Sequence, residues 1–265
     1  MLRPIHFAPL GAAVATELMT QVEAADPDHW LALPYVPDDK RAGCLAILAL
    51  TSELRTLPGR VSDPMLGAIR LQWWREATAE VFGEAPPRRH PLVEALAETI
   101  GKRDPGARSI VDRMIDDTAA FLEPVETIES ETALDLARVH EGARIGLFIR
   151  WLVPDIPVVS LKALETLAAL YVLGGARRWS HAMDTPASVP HEMPMQRLAR
   201  AWAANPDLAA SLPKPRDLWG TGTPWAQALT PMIAPYKWAG DYLAGNDLSD
   251  LRKRASLLIT VLRGR

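Results

Sequence analysis

Three carboxylates, Asp112, Asp116 and Asp117, stand at i, i+4 and i+5 in a segment with helical spacing. Residues four apart lie one above the other on a helix, so Asp112 and Asp116 share a face and offer two hard oxygen ligands to a divalent cation. Val111, Met114, Ile115 and Leu122 supply the apolar side of the same segment and Arg113 stands among the acids, which is also the pattern of a solvated helix face. Arg177-Arg178, followed by Trp179, brings two guanidinium groups that can grip phosphate and an indole that can stack on a cation. Adjacent helix positions point in different directions, so one of that pair is expected to serve a surface ion pair. Trp73-Trp74 reads as core packing at Trp73 and as a wall of an apolar cavity at Trp74.

Other chemistries find little purchase. His29, His90, His140, His181 and His191 make no close metal-type spacing, and no P-loop, GxSxG or GxGxxG pattern occurs. The single cysteine, Cys44, sits in an apolar run, where a buried inert thiol is expected; it allows no disulfide framework and points to a reducing compartment. The net charge of −3 gives no support to a nucleic-acid partner. No uncharged run approaches a membrane span, and Pro4, His6 and Pro9 interrupt the signal-like stretch that ends in Ala13-Val14-Ala15. A cytoplasmic protein, at most peripheral to a membrane, is the expectation.

The elements that must position these residues are helices. Helical periodicity runs through nearly every long segment, and the 23 prolines gather between segments, where they end helices. Expected helices cover Ala12–Ala24, Lys40–Leu57 with Asp38 or Asp39 as cap and Pro58-Gly59 as stop, and Pro64–Val81 after Ser62-Asp63. Others cover Pro91–Gly101, Arg108–Leu122, Thr132–Leu152, Leu161–Met183 capped by Ser160, Met195–Ala204, Trp225–Ala244 and Leu248–Leu262. The run Cys44–Leu50 is so apolar that its helix should be buried on most sides. In the Pro64 helix the stripe Leu66, Ile69, Trp73, Ala77, Val81 is expected to face the core, with Trp74 beside it. The chain reads as one all-α domain over residues 1–265, with residues 1–25 an N-terminal helix at its periphery.

Several of these segments resemble one family. Arg41 to Leu50 after Pro37 is similar to a proline and arginine preceding an apolar helix, "alyaf", in squalene/phytoene synthases. Ile69-Arg70-Leu71-Gln72-Trp73-Trp74-Arg75-Glu76-Ala77, His90-Pro91 with Ala95-Leu96, Gly142-Ala143-Arg144-Ile145-Gly146 ("AGxVG") and Leu173-Gly174-Gly175-Ala176 ("LGxA") follow in the family's order. The resemblance covers about residues 26–185. It implies an isoprenoid-synthase fold, a helical bundle around a central cavity. It also implies head-to-head joining of two prenyl diphosphates, with Mg²⁺ held by two aspartate motifs on facing helices.

The sequence departs from both motifs. Counted from Arg41, the first motif's aspartates should fall at 55, 56 and 59, where Arg55, Thr56 and Gly59 stand; Glu53 is the nearby carboxylate. Counted from Leu173, the second should fall near Arg178, His181 and Asp184-Thr185, and Asp184 is its remnant. Arginine at a cation site repels Mg²⁺. Arg55 with Arg177 or Arg178 would instead hold an anion, or pair with Glu53 or Asp184 and plug the bundle. The candidate pocket residues are therefore Glu53, Arg55, Trp74, Arg177, Arg178 and His181, with no catalytic residue. Asp184, Asp112 and Asp116 are weak metal candidates, and Mg²⁺ enters only if catalysis survives.

The resemblance is strongest to a subgroup that has lost its aspartates and includes a mitochondrial assembly factor for respiratory complex I. It implies an assembly role beside a membrane-associated complex, or binding of an isoprenoid or lipid. The alternative it leaves open is an active squalene- or phytoene-type synthase acting on farnesyl or geranylgeranyl diphosphate.

Overall fold

In the computed structural model, residues 6–122, 130–153, 164–174, 224–243 and 245–263 are described, and every regular element among them is helical. The N-terminal part comprises α1 (Ala12–Ala25), α2 (Pro27–Ala32), α3 (Asp38–Arg60), α4 (Pro64–Val81), α5 (Pro91–Leu96) and α6 (Arg108–Ala119). There follow α7 (Ser130–Leu152), α8 (164–174), α9 (Pro224–Ile233), α10 (Ala239–Leu243) and α11 (Asp250–Arg263).

The most apolar helix is the axis of the packing. From Arg41 to Gly59 every residue of α3 is buried except Glu53, because α1, α4, α5, α6 and α7 surround it. Burial of that run removes a large apolar area from water, the dominant favourable term in folding. Cys44 lies within it, fully buried, and burial pushes its thiol well above the ordinary range, so it is inert. Helix α3 starts and ends differently from expectation. Pro37 takes the N-cap position without a side-chain cap, and Asp38 and Asp39 fall in the first turn, where carboxylates favour the helix dipole. Pro58 does not stop the helix, which runs on to Arg60. Near the C-terminal end, a proline removes only one late hydrogen bond.

Arg41 fastens the chain leading into α3. Its guanidinium donates to the carbonyls of Leu33, Pro34, Val36 and His6 and meets Asp38 at 2.6 Å. The α2 start is built by Asp26, whose Oδ1 accepts from the His29 amide at 3.2 Å with Pro27 in the first turn. Asp63 caps α4 in the same way, accepting from the Met65 amide at 2.7 Å.

Two expectations fail here. The core face of α4 is Gly67, Leu71, Trp74, Ala77, Thr78 and Val81, whereas Leu66 and Ile69 are 49 % and 59 % exposed. The helix carries apolar residues on two sides, and packing selects the side on which Gly67 lets Leu122 approach; a Cβ there would overlap the leucine. The expected helix over Trp225–Ala244 is broken into α9, a 3₁₀ turn (Ala234–Trp238) and α10. Pro235 lacks the amide that a continuing helix needs. By contrast α1 is not a loose appendage: it packs on α3 and α5 and buries Leu18 and Val22.

The contact between α3 and α7 depends on Gly43, where a Cβ would overlap the Trp151 indole, itself tied to the Lys40 carbonyl at 2.7 Å. Gly43→Ala should therefore lower the unfolding free energy by about 1–3 kcal/mol in urea titration. A neutral or stabilising effect would contradict this packing.

Candidate functional site

Among the described residues, the bundle interior holds six formally charged side chains that are almost entirely out of water. Asp26, Asp28, Glu141, Arg144 and Lys253 are each at most 1 % exposed and Arg55 is 2 % exposed. Three are anions and three are cations, so the group is formally balanced. An unpaired charge in such a place would cost several kcal/mol, so the pairing geometry decides whether the interior can exist.

Asp26, at the mouth of α2, is the hub. Its Oδ2 accepts from Arg144 at 2.7 Å and lies 3.6 Å from Arg55. Its Oδ1 accepts from both the amide and the Nδ1 of His29, the latter at 2.8 Å. Burial alone would raise the pKa of this carboxyl. The electrostatic and hydrogen-bonding contact with His29, then Arg144 and Arg55, outweigh that and hold it well below the usual carboxylate range. Glu141, one turn before Arg144 on α7, forms an ion pair with it. Burial again opposes ionisation, but Arg144, His140 and Arg55 lower the Glu141 pKa to about 2. Burial works against the charge of Arg144 too, yet Glu141, Tyr236 and Asp26 keep its pKa well above the ordinary arginine value.

The second half of the cluster centres on Asp28. Its Oδ1 accepts from Lys253 of α11 at 3.0 Å, and its Oδ2 accepts from the hydroxyls of Tyr171 at 2.9 Å and Tyr242 at 2.6 Å. Tyr236 accepts from Arg144 at 3.2 Å. Burial, with the anions nearby, pushes the Tyr171 and Tyr236 hydroxyls upward, so both stay protonated. The His29 ring packs among Phe148, Tyr171 and Tyr236.

The residues anticipated from the sequence are distributed unevenly around this centre. Arg55 belongs to it and, among the described residues, lies 3.6 Å from the Asp26 carboxylate. Glu53 pairs with Arg60 at 3.0 Å, away from the cluster, because the two lie on the less buried side of α3. Trp74 is buried in an edge-to-face group with Trp73 and His90 at the α4–α5 junction, at centroid distances of 4.9 and 5.4 Å. Asp112 pairs with Arg108 at 3.4 Å and Asp116 with Arg75 at 2.8 Å. Each carboxylate is thus matched to a cation on the surface. Arg177, Arg178, His181 and Asp184 lie outside the described residues.

Magnesium does not fit what is described. At the three positions where the first motif would supply aspartates, Arg55, Thr56 and Gly59 are buried, and the Arg55 guanidinium stands 3.6 Å from the Asp26 carboxylate. Among the described residues, no group of three or more His, Cys, Asp or Glu is placed to hold a metal ion.

Sequence reading missed most of the cluster. Asp26 and Asp28 flank Pro27 with nothing local to mark them as buried charges, and Arg144 enters only as one residue of the Gly142-to-Gly146 motif. Two signals were present: Glu141 and Arg144 interrupt an apolar helix at i, i+3, and Lys253 falls on the same side of its helix as Leu257 and Val261.

Residues 22–136 match the squalene/phytoene synthase family, in agreement with the motifs quoted above. Over 140 residues the chain is 24 % identical to the Bos taurus protein named NADH dehydrogenase (ubiquinone) complex I, assembly factor 6. That alignment covers 46 % of this chain and 42 % of the relative, less than half the length of each. No solved structure matches the chain.

The depressed carboxyls make a pH-dependent prediction. Both Asp26 and Glu141 bind a proton less readily when folded, so their contribution to stability is present above the unfolded values. It is withdrawn as pH falls through the folded ones. For Glu141 that window runs from 4.5 down to about 2. Urea unfolding should give a flat stability between about pH 5 and 8 and a loss of a few kcal/mol below about pH 4.5. A stability that holds unchanged to about pH 3 would contradict the assigned pairings.

Proposed function

We propose that this chain works through its surface, as an assembly or interaction protein of a membrane-associated complex, and does not run magnesium-dependent prenyl transfer. The observation that carries the proposal is Arg55, buried beside Asp26 where the family's first aspartate motif would supply metal ligands. A dication entering there would meet a guanidinium and would compete with Arg144 for Asp26. At close range in a low dielectric that repulsion is large compared with one ligand's binding energy. The Asp26 and Glu141 oxygens face protein cations, so they are committed to holding helices together.

The bovine assembly factor supports the choice of role, since its name ties that protein to complex I. No helix among the described residues is long and apolar enough to cross a membrane; the reading we propose is a single domain on the cytoplasmic side, peripheral to the bilayer. Its partner is a membrane complex, with an isoprenoid or lipid as the second ligand class.

Two measurements test this reading. Purified protein incubated with farnesyl or geranylgeranyl diphosphate and Mg²⁺ should release no diphosphate above the protein-free rate. Sustained turnover to a squalene- or phytoene-type product would overturn the proposal. Deleting the gene in its own organism should make a respiratory-type membrane complex accumulate as subassemblies on native gels. Normal assembly in the deletion strain would equally count against it.

A further inference from the structure

Helix α11 presents two unlike faces. Lys253, Leu257, Thr260 and Val261 are buried where the helix packs on α2, α9 and the Ala234–Trp238 turn. The Lys253–Asp28 pair ties it into the central cluster. The opposite face is also apolar. Leu251 is 79 % exposed, Leu258 46 %, Ile259 49 % and Leu262 57 %, and exposed Ala255 lies between them. At about 100° per residue these five fall on one continuous stripe running the length of the helix, roughly 20 Å. Arg252 borders it on one side and Arg254 on the other, both exposed.

We infer that this outer face of α11 lies in the headgroup–acyl boundary of an anionic bilayer, with the helix parallel to the membrane plane. A stripe of large aliphatic residues flanked on both edges by arginine is the arrangement that favours such a surface: the aliphatics enter the acyl boundary while the guanidiniums meet lipid phosphates. Charge selects this occupant. The whole chain carries −3, yet apart from the buried Lys253, which is paired with Asp28, residues 250–263 carry Arg252, Arg254 and Arg263 against one acid, Asp250. A second copy docking through the same face would set arginine borders against each other. Anionic headgroups neutralise them, at about 1 kcal/mol per basic residue, or roughly fivefold in affinity. The ion pair beneath the helix keeps the stripe outward, so insertion requires no unfolding of the bundle.

This inference builds on the peripheral placement proposed above, and its test is independent of any assembly partner. The full chain is mixed with vesicles of phosphatidylcholine alone, or with about one third phosphatidylglycerol, and sedimented. The chain should partition onto the anionic vesicles and only weakly onto the neutral ones. Leu258→Glu with Leu262→Glu should weaken partitioning at least about tenfold. Arg252→Gln with Arg254→Gln, which leaves the apolar stripe intact, should weaken it by about tenfold or more on anionic vesicles and reduce its salt dependence. All four positions are solvent-facing, and unchanged thermal midpoints would show that both variants fold.

Failure of the native chain to bind anionic vesicles, or binding indifferent to both double variants, overturns the inference. So does a dimer in light scattering that Leu258→Glu with Leu262→Glu dissolves, since a second copy would then own the face. Vesicle binding together with normal complex assembly in the deletion strain would leave the inference standing and remove the assembly role. The converse pair of results would do the reverse.

Discussion

A carboxylate stripped of water has to find cations, and in this protein that requirement ties distant parts of the chain together. Asp26 and Arg144 are 118 residues apart in sequence, and Asp28 and Lys253 are 225 apart. The first pair fixes the start of α2 against α7, with Arg55 bringing in α3; the second fixes α2 against α11. Because Asp26 and Asp28 sit on either side of Pro27 at one helix start, both halves of the network are set by one short, rigid turn. Buried ion pairs add little net stability compared with apolar substitutes of the same shape, but any arrangement leaving one member unpaired is heavily penalised. The network thereby selects how the helices meet, while the apolar burial around α3 supplies the driving force.

The same constraint explains why this interior differs in kind from a prenyl diphosphate site. Such a site needs carboxylates that are structurally supported yet electrostatically unsatisfied until metal arrives. Here burial and guanidinium have removed that freedom. Among the described residues, Asp26, Asp28 and Glu141 are each already matched to protein cations. A helical bundle whose resemblance to the synthases is legible through residues 22–136 thus holds, among its described residues, a centre of matched ion pairs that ties its helices together.

Much of the architecture was legible in the sequence because it rests on local rules. Most helices among the described residues, the capping by Asp63 with Pro64 next to it, and the full burial of the Cys44–Leu50 run follow from patterns within a few residues of one another, whereas the expected helix Met195–Ala204 and the Ser160 cap lie outside the described residues. The spacing from Arg41 also put an arginine, Arg55, inside the bundle, and the structure buries it beside Asp26. What escaped was whatever depends on partners far away in the chain. Arg55 finds Asp26, which no count along α3 could reveal. On α4, two apolar faces compete, and only the presence of Leu122 opposite Gly67 decides between them. On α11 the apolar residues lie on both sides of a helix whose buried face contains a lysine, so periodicity alone does not say which side is inward. The break at Pro235 was a misjudgement of a known local rule, the missing amide.

The most direct test of the network's role is a double-mutant cycle between Asp26 and Arg144 by urea unfolding at neutral pH. The account predicts that Asp26→Asn and Arg144→Met each cost about 3–5 kcal/mol, by stranding a buried charge. The double variant should recover about 2 kcal/mol or more relative to their sum. Additive effects, or an Asp26→Asn protein as stable as the native one, would contradict it and return Asp26 to the status of a carboxylate kept for something other than the fold.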